Sequence, residues 1–97
     1  MRVEYAQLNR GMAVEWFVYI LLNDAMVSYT GIAIDVGDRL RRHNAGQGAK
    51  FTRGRGPWRL AYSEGPLSHG DALRREAVIR KDRRFKTALK CKVTDGC

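Results

Sequence analysis

The sequence predicts a small α+β domain, sandwich-like, in which a three-stranded sheet of antiparallel or mixed type is flanked by helices in the order ββαβα. Three short apolar runs, over 16–22, 28–33 and 58–63, have the aromatic and β-branched content typical of strands. Two longer segments, 35–46 and 70–85, follow residues that cap helices well. The 97 residues are enough for one domain.

The first two strands are predicted to pair as a hairpin. Asn23 and Asp24 supply a turn after the run WFVYILL, and a few residues of slack precede the second strand. Side chains alternate along a strand, so Phe17, Tyr19 and Leu21 are expected on one face of the sheet. The other face is expected to receive Trp16, Val18, Ile20 and Leu22.

Each predicted helix begins at a recognisable cap. Asp35 is a candidate N-cap for a helix that ends near 44–46, where a glycine-rich loop leads to the third strand. Ser68, with an acidic residue three positions later, resembles a capping box and precedes the longer helix over 70–85. These signals complete a single ββαβα unit.

Residues 15–87 form the predicted domain, between an N-terminal extension (1–14) and a C-terminal tail (88–97). The tail contains Cys91 and Cys97, which form neither a disulfide framework nor a metal knuckle. The chain has no apolar stretch of about 18 residues that would span a membrane, and no secretion signal precedes the first strand. The expected compartment is therefore a reducing cytoplasm.

The net charge of +8 is concentrated in one part of the chain. Between Arg39 and Lys86 there are fourteen basic residues against four acidic ones, a net charge of +10. This density predicts a polyanionic partner, either nucleic acid or an acidic membrane surface; a solvated cationic face is the simpler interpretation. The membrane alternative is disfavoured because the cationic helix lacks a broad face of Trp, Phe and Leu.

Two polar residues occupy an inward-leaning face of the first helix. Arg39 and His43 are four residues apart and project together beside Val36 and Leu40. In the simple interpretation, the stem of Arg39 covers the hydrophobic edge and His43 is a surface imidazole. In the functional interpretation, the two side chains serve a common site.

A carboxylate falls within the apolar arc of the second helix. Rotation by about 100° per residue groups four apolar side chains, those of Ala72, Leu73, Ala77 and Ile79. Glu76 lies inside this group, where a carboxylate needs a partner. The partner is either Arg80, in an i,i+4 ion pair, or a hard cation such as Mg²⁺, which takes one or two carboxylates with waters and phosphate oxygens.

Tyr19 and Tyr29 lie on the two arms of the predicted hairpin. Most tyrosines in strands are packing residues. A phenol also suits a site where water or an alcohol is held and deprotonated, because a nearby metal or cation lowers its pKa.

The order and spacing of these residues resemble the GIY-YIG nuclease family. Val18-Tyr19-Ile20 and, ten residues on, Tyr29-Thr30-Gly31 resemble the paired tripeptides that name the family, although the first keeps only its tyrosine. Residues 35–43 resemble the first helix of that family, with the arginine ten residues after the second tyrosine. Residues 72–79 resemble its metal-binding helix.

The loop over 48–58 makes the resemblance more specific, because it resembles particular members of the family. It is similar to small stand-alone bacterial GIY-YIG proteins and to the catalytic subunit of eukaryotic flap and junction nucleases. The resemblance as a whole covers about residues 16–86.

The resemblance implies a phosphodiesterase that acts on DNA with one Mg²⁺ or Mn²⁺ ion. Glu76 would hold the ion, and Arg39 would stabilise charge on the scissile phosphate. Tyr19 and Tyr29 would position the attacking water or the leaving group, one of them as general base. His43 would assist the proton transfer.

The remaining candidate residues would shape the site and bind the DNA backbone. Gly31 allows a close approach to the site. Eight cations are the candidates for phosphate contacts: Arg42, Lys50, Arg53, Arg55, Arg74, Arg75, Lys81 and Arg84. Three of them lie in the glycine-rich loop, which is expected to follow a DNA backbone. No helix offers regularly spaced residues for reading bases, so selection by DNA structure is expected.

The sequence is compatible with two alternative functions of the chain. The first is a metal-dependent endonuclease of flap, branched, damaged or single-stranded DNA, in repair or recombination. The second is a nucleic-acid-binding module with little activity unless a partner protein joins it. Many GIY-YIG members carry an asparagine after the glutamate, and this chain has none beyond Asn44. A protein partner that adds DNA-binding surface is expected for this reason and because of the small size.

Overall fold

The structure is a computed structural model, which describes residues 14–94. Its elements follow in the order β1 (Trp16–Asn23), β2 (Ser28–Ala33), α1 (Val36–Asn44), a single 3₁₀ turn (Lys50–Thr52), β3 (Trp58–Leu67), α2 (His69–Lys81) and α3 (Arg83–Thr94). The predicted α+β class and the predicted order ββαβα, which runs from β1 to α2, are confirmed.

The three strands form one antiparallel sheet in the order β2-β1-β3. The central strand β1 places Tyr19 opposite Gly31 on β2 and opposite Ser63 on β3. The central position explains why β1 is the most apolar segment, because both of its edges are paired and both of its faces are covered.

Helices cover both faces of the sheet. On one face, Val18 and Ile20 pack with Ala72 and Ile79 of α2, and the partly buried Phe85 extends this cluster to α3. The other face carries Tyr19 and Leu21 with Ala33 and Trp58, and α1 packs against it through Val36 and Leu40. The predicted alternation along β1 is therefore confirmed, and Tyr19 lies on the face covered by α1.

The two predicted N-caps are present. The Asp35 carboxylate accepts a hydrogen bond from the Asp38 backbone N–H at 2.9 Å. The Ser68 hydroxyl accepts one from the Asp71 backbone N–H at 3.1 Å. These caps place the first turns of α1 and α2, and with them the residues of the site.

The helix predicted over 70–85 is divided into two. α2 ends at Lys81, and Asp82 has an extended backbone with φ −90° and ψ 91°. The Asp82 carboxylate accepts from the Phe85 backbone N–H at 2.9 Å, so Asp82 caps a further helix, α3. The predicted boundary at residue 87 falls inside α3, and the first part of the predicted tail over 88–97 is helical as far as Thr94.

The third strand is also longer than predicted, since it continues to Leu67 rather than ending at residue 63. It includes Pro66, which is tolerated because β3 is an edge strand.

The two ends of the chain lie outside the described residues. Only residue 14 of the predicted extension over 1–14 is described, and Cys97 is not described. Cys91, on α3, is disulfide-bonded, contrary to the expectation from sequence. Among the described residues, no helix is both long enough and apolar enough to cross a membrane.

Candidate active site

Two tyrosines and one glycine form the floor of the candidate site. Tyr19 is buried, and its ring lies across Gly31 of the neighbouring strand. A Cβ atom at Gly31 would lie 2.7 Å from the Tyr19 hydroxyl oxygen and 3.1 Å from the Tyr29 ring. The centroids of the two tyrosine rings are 6.3 Å apart. Glycine is therefore the residue that lets both phenols occupy this face of the sheet.

The first helix brings His43 to Tyr19. The imidazole Nε2 lies 3.0 Å from the Tyr19 hydroxyl oxygen, within hydrogen-bonding distance. His43 is buried, so it is not the surface imidazole of the simple interpretation. Burial, together with the nearby positive charge of Arg39, holds the pKa of His43 below its ordinary value. The imidazole is therefore neutral at neutral pH.

The loop after α1 supplies the other contacts of His43. Its Nδ1 lies 2.8 Å from the Thr52 hydroxyl oxygen, and that hydroxyl donates to the Ala49 carbonyl at 2.8 Å. Gly48 lies so close that a Cβ there would be 2.2 Å from Nδ1. Thr52 and Gly48 belong to the loop over 48–58 that narrows the family resemblance, but sequence reasoning gave neither residue a role, because their contact with His43 depends on the path of the loop.

The same loop is held in place at both ends. The Asn44 side chain accepts from the Trp58 backbone N–H at 2.6 Å and donates to the Trp58 carbonyl at 3.0 Å. The Trp58 indole N–H donates to the Thr52 carbonyl at 3.0 Å. Asn23 donates from its amide to the Arg55 carbonyl at 2.9 Å. The loop that carries three candidate cations is thus anchored to the sheet and to α1.

The pKa values of both phenols are raised. Burial is the main cause at Tyr19, followed by neighbouring Tyr29, while Arg39 opposes the rise by its charge and by a hydrogen bond. At Tyr29, burial is again the main cause; the charge of Glu76 adds to it, and Arg39 and Arg80 oppose it. Residues from α1 and α2 therefore act on the same pair of phenols.

Glu76 lies on the side of α2 that faces the sheet. It shares this side with Ala72 and Ile79, and its side chain is only 16 % exposed. The predicted arc is wrong at Leu73 and Ala77, which are both exposed, because the buried stripe follows the i, i+4, i+7 spacing of 72, 76 and 79. The prediction that Glu76 lies among apolar residues is correct.

Glu76 also forms the simple ion pair that its sequence position allows. The Arg80 guanidinium contacts its Oε2 atom at 2.5 Å. Within residues 14–94 there is no cluster of three or more His, Cys, Asp and Glu side chains that could hold a metal. A single carboxylate does not make a structural zinc or calcium site. It fits Mg²⁺ or Mn²⁺, which take most other ligands from water and substrate phosphate.

Two cavities meet at Tyr29. The first, of about 470 Å³, is lined mainly by charged and polar residues of α1 and the following loop, among them Arg39, Arg42 and His43. The second, of about 300 Å³, is also lined by Tyr29, together with Phe51, Arg80, Lys86, Ser28 and Thr30. Tyr29 is therefore shared by two cavities that both contain basic side chains.

Phe51 is an aromatic residue at the rim of this surface. It is 44 % exposed, and its ring stacks beside Tyr29 with centroids 6.2 Å apart and an interplanar angle of 21°. The Arg55 guanidinium lies over the Phe51 ring at 4.7 Å. Sequence reasoning did not select Phe51, Arg80 or Lys86 for the site.

The eight candidate DNA-binding cations divide into groups. Arg42 lines the first cavity, although it also pairs with Asp38. The loop presents three exposed cations beside it: Lys50, Arg53 and Arg55. Arg74 and Arg75 line a different groove and pair with acidic residues, Asp71 and Glu64 respectively. Exposed Lys81 and Arg84 flank the junction of α2 and α3.

The chain is similar to known proteins. The model of the GIY-YIG catalytic domain matches residues 15–88. A UPF0213 protein of Klebsiella pneumoniae is 41 % identical over 70 residues, which are 72 % of this chain and 66 % of that protein. A UPF0213 protein of Aeromonas hydrophila is 37 % identical over 78 residues, which are 79 % of this chain and 57 % of that protein. The chain thus spans about two thirds or less of these two relatives.

A solved structure is also similar. The solution NMR structure of a UPF0213 protein from Bacillus halodurans is 42 % identical, covers 77 % of this chain and 81 % of its own, and superposes with a TM-score of 0.46. The match of the family model extends from the start of β1 into α3 and includes both tyrosines, Arg39, His43 and Glu76. This chain therefore belongs to the GIY-YIG catalytic domain family.

Proposed function

We propose that this chain is a metal-dependent endonuclease that hydrolyses phosphodiester bonds in DNA. The proposed substrates are flap, branched, damaged or single-stranded DNA, in repair or recombination. The observation that carries the proposal is the hydrogen bond between Tyr19 and His43, which lies beside a cavity lined by Arg39 and within electrostatic reach of Glu76. This arrangement joins a proton acceptor, a cation and a carboxylate around one phenol.

Tyr19 and His43 together can remove a proton from the attacking water. The raised pKa of Tyr19 means that the phenol needs a base before it can act as one. Neutral His43, at 3.0 Å, is that base. His43 takes the phenolic proton, the phenolate takes a proton from water, and the water oxygen forms a bond to phosphorus. The bond between phosphorus and the leaving oxygen breaks, that oxygen takes a proton from solvent water, and His43 releases its extra proton to solvent.

Tyr29 and Arg39 act on the phosphate in this proposal. Arg39 lines the same cavity as His43, so its guanidinium can donate to the phosphate oxygens on which negative charge grows. Tyr29 lines both cavities and can hold the nucleophile or the leaving oxygen in line.

Glu76 is the proposed metal ligand. A divalent ion held there would supply Lewis-acid stabilisation of the charge on the transferring phosphoryl group. Arg80 contacts one oxygen of the Glu76 carboxylate. Its guanidinium would therefore have to share this carboxylate with a bound cation or move away from it. Arg80 also borders the second cavity, where its guanidinium would bind a substrate phosphate.

Two observations support a preference for DNA with unpaired bases. Phe51 is exposed next to Tyr29, and an exposed aromatic ring stacks on any unpaired base irrespective of its identity. The Arg55 guanidinium lies over this ring, and Lys50 and Arg53 of the same anchored loop are exposed, so these cations can contact the backbone. A partner protein that widens this surface remains part of the proposal.

The test uses purified full-length chain and one labelled strand presented as single strand, duplex, flap, fork and four-way junction, each with Mg²⁺, with Mn²⁺ and with EDTA. We expect metal-dependent cutting, strongest on substrates with unpaired bases. Glu76→Gln should abolish cutting, whereas the matched variant Glu15→Gln, at an exposed position outside the site, should leave it unchanged. Equal cutting by both variants, or cutting in EDTA, would contradict the proposal.

The second candidate function is a nucleic-acid-binding module. The Glu76–Arg80 ion pair favours it, because it gives the carboxylate a partner without any metal. This alternative predicts DNA binding that ignores Mg²⁺ and no cutting of any substrate in the panel. Glu76→Gln would then leave binding unchanged or strengthen it by removing a negative charge.

A further inference from the structure

Resting on the proposed function, we propose that Thr52 is a positioning residue that fixes the tautomer of His43. Its hydroxyl holds the proton of the imidazole on Nδ1, and this leaves the Nε2 lone pair directed at the Tyr19 hydroxyl. Thr52 acts through His43 and touches neither substrate nor metal.

The Thr52 hydroxyl has a single proton to donate. That proton is donated to the Ala49 carbonyl, which can only accept, at 2.8 Å. Toward His43 Nδ1, also at 2.8 Å, the Thr52 oxygen must therefore accept. The donor in this bond is then the Nδ1–H group of the imidazole.

The state of the second imidazole nitrogen follows. A neutral imidazole carries one N–H group, so a proton on Nδ1 leaves Nε2 as an acceptor. The Tyr19 hydroxyl, 3.0 Å from Nε2, is then the donor. The four groups form a directed chain from Tyr19 through His43 and Thr52 to Ala49. This direction is the one in which Tyr19 can lose its proton to His43.

Neighbouring residues hold this series of hydrogen bonds in one arrangement. Thr52 and His43 are both buried, so an unpaired nitrogen or hydroxyl would be costly. The Trp58 indole N–H binds the Thr52 carbonyl at 3.0 Å and fixes the backbone that carries the hydroxyl. Gly48 packs against the Nδ1 edge of the imidazole and limits movement of the ring.

The hydrogen bond between Nδ1 and Thr52 is also retained in the imidazolium that forms when His43 accepts a proton. When Nε2 receives the Tyr19 proton, the imidazolium carries N–H groups on both nitrogens, and Nδ1–H still donates to Thr52. The positive charge that forms on His43 is matched by the negative charge on the Tyr19 oxygen. No other proton has to move.

The first test reads the tautomer directly and needs no cleavage. Long-range ¹H–¹⁵N NMR spectra of the histidine-labelled full chain, at a pH where His43 is neutral, distinguish protonated from unprotonated ring nitrogens. We expect Nδ1 protonated and Nε2 unprotonated in the wild type and in Thr52→Ser, which keeps the hydroxyl. Thr52→Val, which has the same shape without the hydroxyl, should show Nε2 protonation. A wild-type spectrum with the proton on Nε2 overturns the proposal without any variant.

The second test is single-turnover cleavage of the best substrate from the panel. We expect Thr52→Val to cut about 10- to 100-fold more slowly with unchanged substrate affinity, the scale on which the loss of a group that orients a histidine is felt, and Thr52→Ser to cut at close to the wild-type rate. A folded Thr52→Val protein with the wild-type tautomer and rate contradicts the proposal. Should the wild type cut nothing, the proposed function fails, and the tautomer spectra still decide the role of Thr52.

Discussion

The Tyr19 ring lies across Gly31 so closely that a methyl group on Gly31 would come within 2.7 Å of the phenolic oxygen. The two residues are directly opposite each other on β1 and β2. The position of the phenol that binds His43 is therefore set by the absence of a side chain on the neighbouring strand.

Gly31→Ala should displace Tyr19 and break its hydrogen bond with His43. We expect the free energy of unfolding to fall by about 1–3 kcal/mol, as for an overpacked core, and cleavage to fall by about 100-fold or more because the proton acceptor is lost. Urea unfolding and single-turnover cleavage measure the two effects. Gly37→Ala is the control, since its Cβ would meet no atom closer than 3.5 Å and should stabilise α1 slightly. Equal activity of the two variants would show that the position of Tyr19 is unimportant.

The stability of the protein should depend on the ionisation of His43. Its pKa in the folded state is depressed by burial and by Arg39, so the unfolded chain binds the proton more tightly. The free energy of unfolding is therefore expected to be constant above about pH 6.5, the ordinary pKa of histidine, and to fall as the pH drops from there through the folded pKa. The slope in this range is at most about 1.4 kcal/mol per pH unit for one proton. Urea unfolding between pH 5 and 8 measures it, and His43→Asn should flatten the curve in this range. An unchanged slope in the variant would assign the effect to other groups.

Removing Arg80 should strengthen metal binding at Glu76. The guanidinium is mostly exposed and competes with a cation for the carboxylate. We expect Arg80→Ala to bind Mn²⁺ about fivefold more tightly, equivalent to about 1 kcal/mol for a partly exposed ion pair. Electron paramagnetic resonance counts free Mn²⁺ in such a titration. Arg59→Ala, which loses the same charge but releases Asp24 instead, is the control. Equal affinities in the two variants would place the Mn²⁺ elsewhere.

The loop cations should dominate the salt dependence of DNA binding. Lys50 and Arg53 are exposed in the loop that follows α1, whereas Arg74 and Arg75 are held in ion pairs in another groove. Replacing Lys50 and Arg53 together by alanine should reduce the slope of log K against log salt by about 2 on duplex-containing DNA. The matched double variant Arg74→Ala/Arg75→Ala should change it less. Fluorescence anisotropy in 50–300 mM salt, roughly the range over which phosphate contacts weaken, compares them, and a larger effect of the α2 pair would reverse the assignment.

Local chemistry made much of this architecture predictable from sequence. The alternation along β1 separates Val18 from Tyr19 because successive side chains point to opposite faces. Asp35 and Ser68 cap their helices with bonds to residues three positions away. Such features depend on a few neighbouring residues, so the pattern alone is enough to place them.

The features that escaped prediction depend on distant contacts. Thr52 binds His43 across nine residues of loop, and Phe51 meets Tyr29 across the site. The break at Asp82 had a local signal, an aspartate that caps α3, but Ile79 and Phe85 extend the apolar pattern across it and suggest one continuous helix. Leu73 is exposed because the packing of α2 on the sheet, rather than its hydrophobicity, selects the buried stripe.

The most direct measurement of the central claim is single-turnover cleavage by wild type, Arg39→Ala and Glu76→Gln, with DNA affinity measured in the same samples. If the cavity beside Tyr19 is a nuclease site, both variants should lose about 100-fold or more in rate, the scale of a removed transition-state contact. Their affinity for DNA should stay within about threefold, because other cations supply most of the binding. Cleavage at the wild-type rate in both variants would contradict the account.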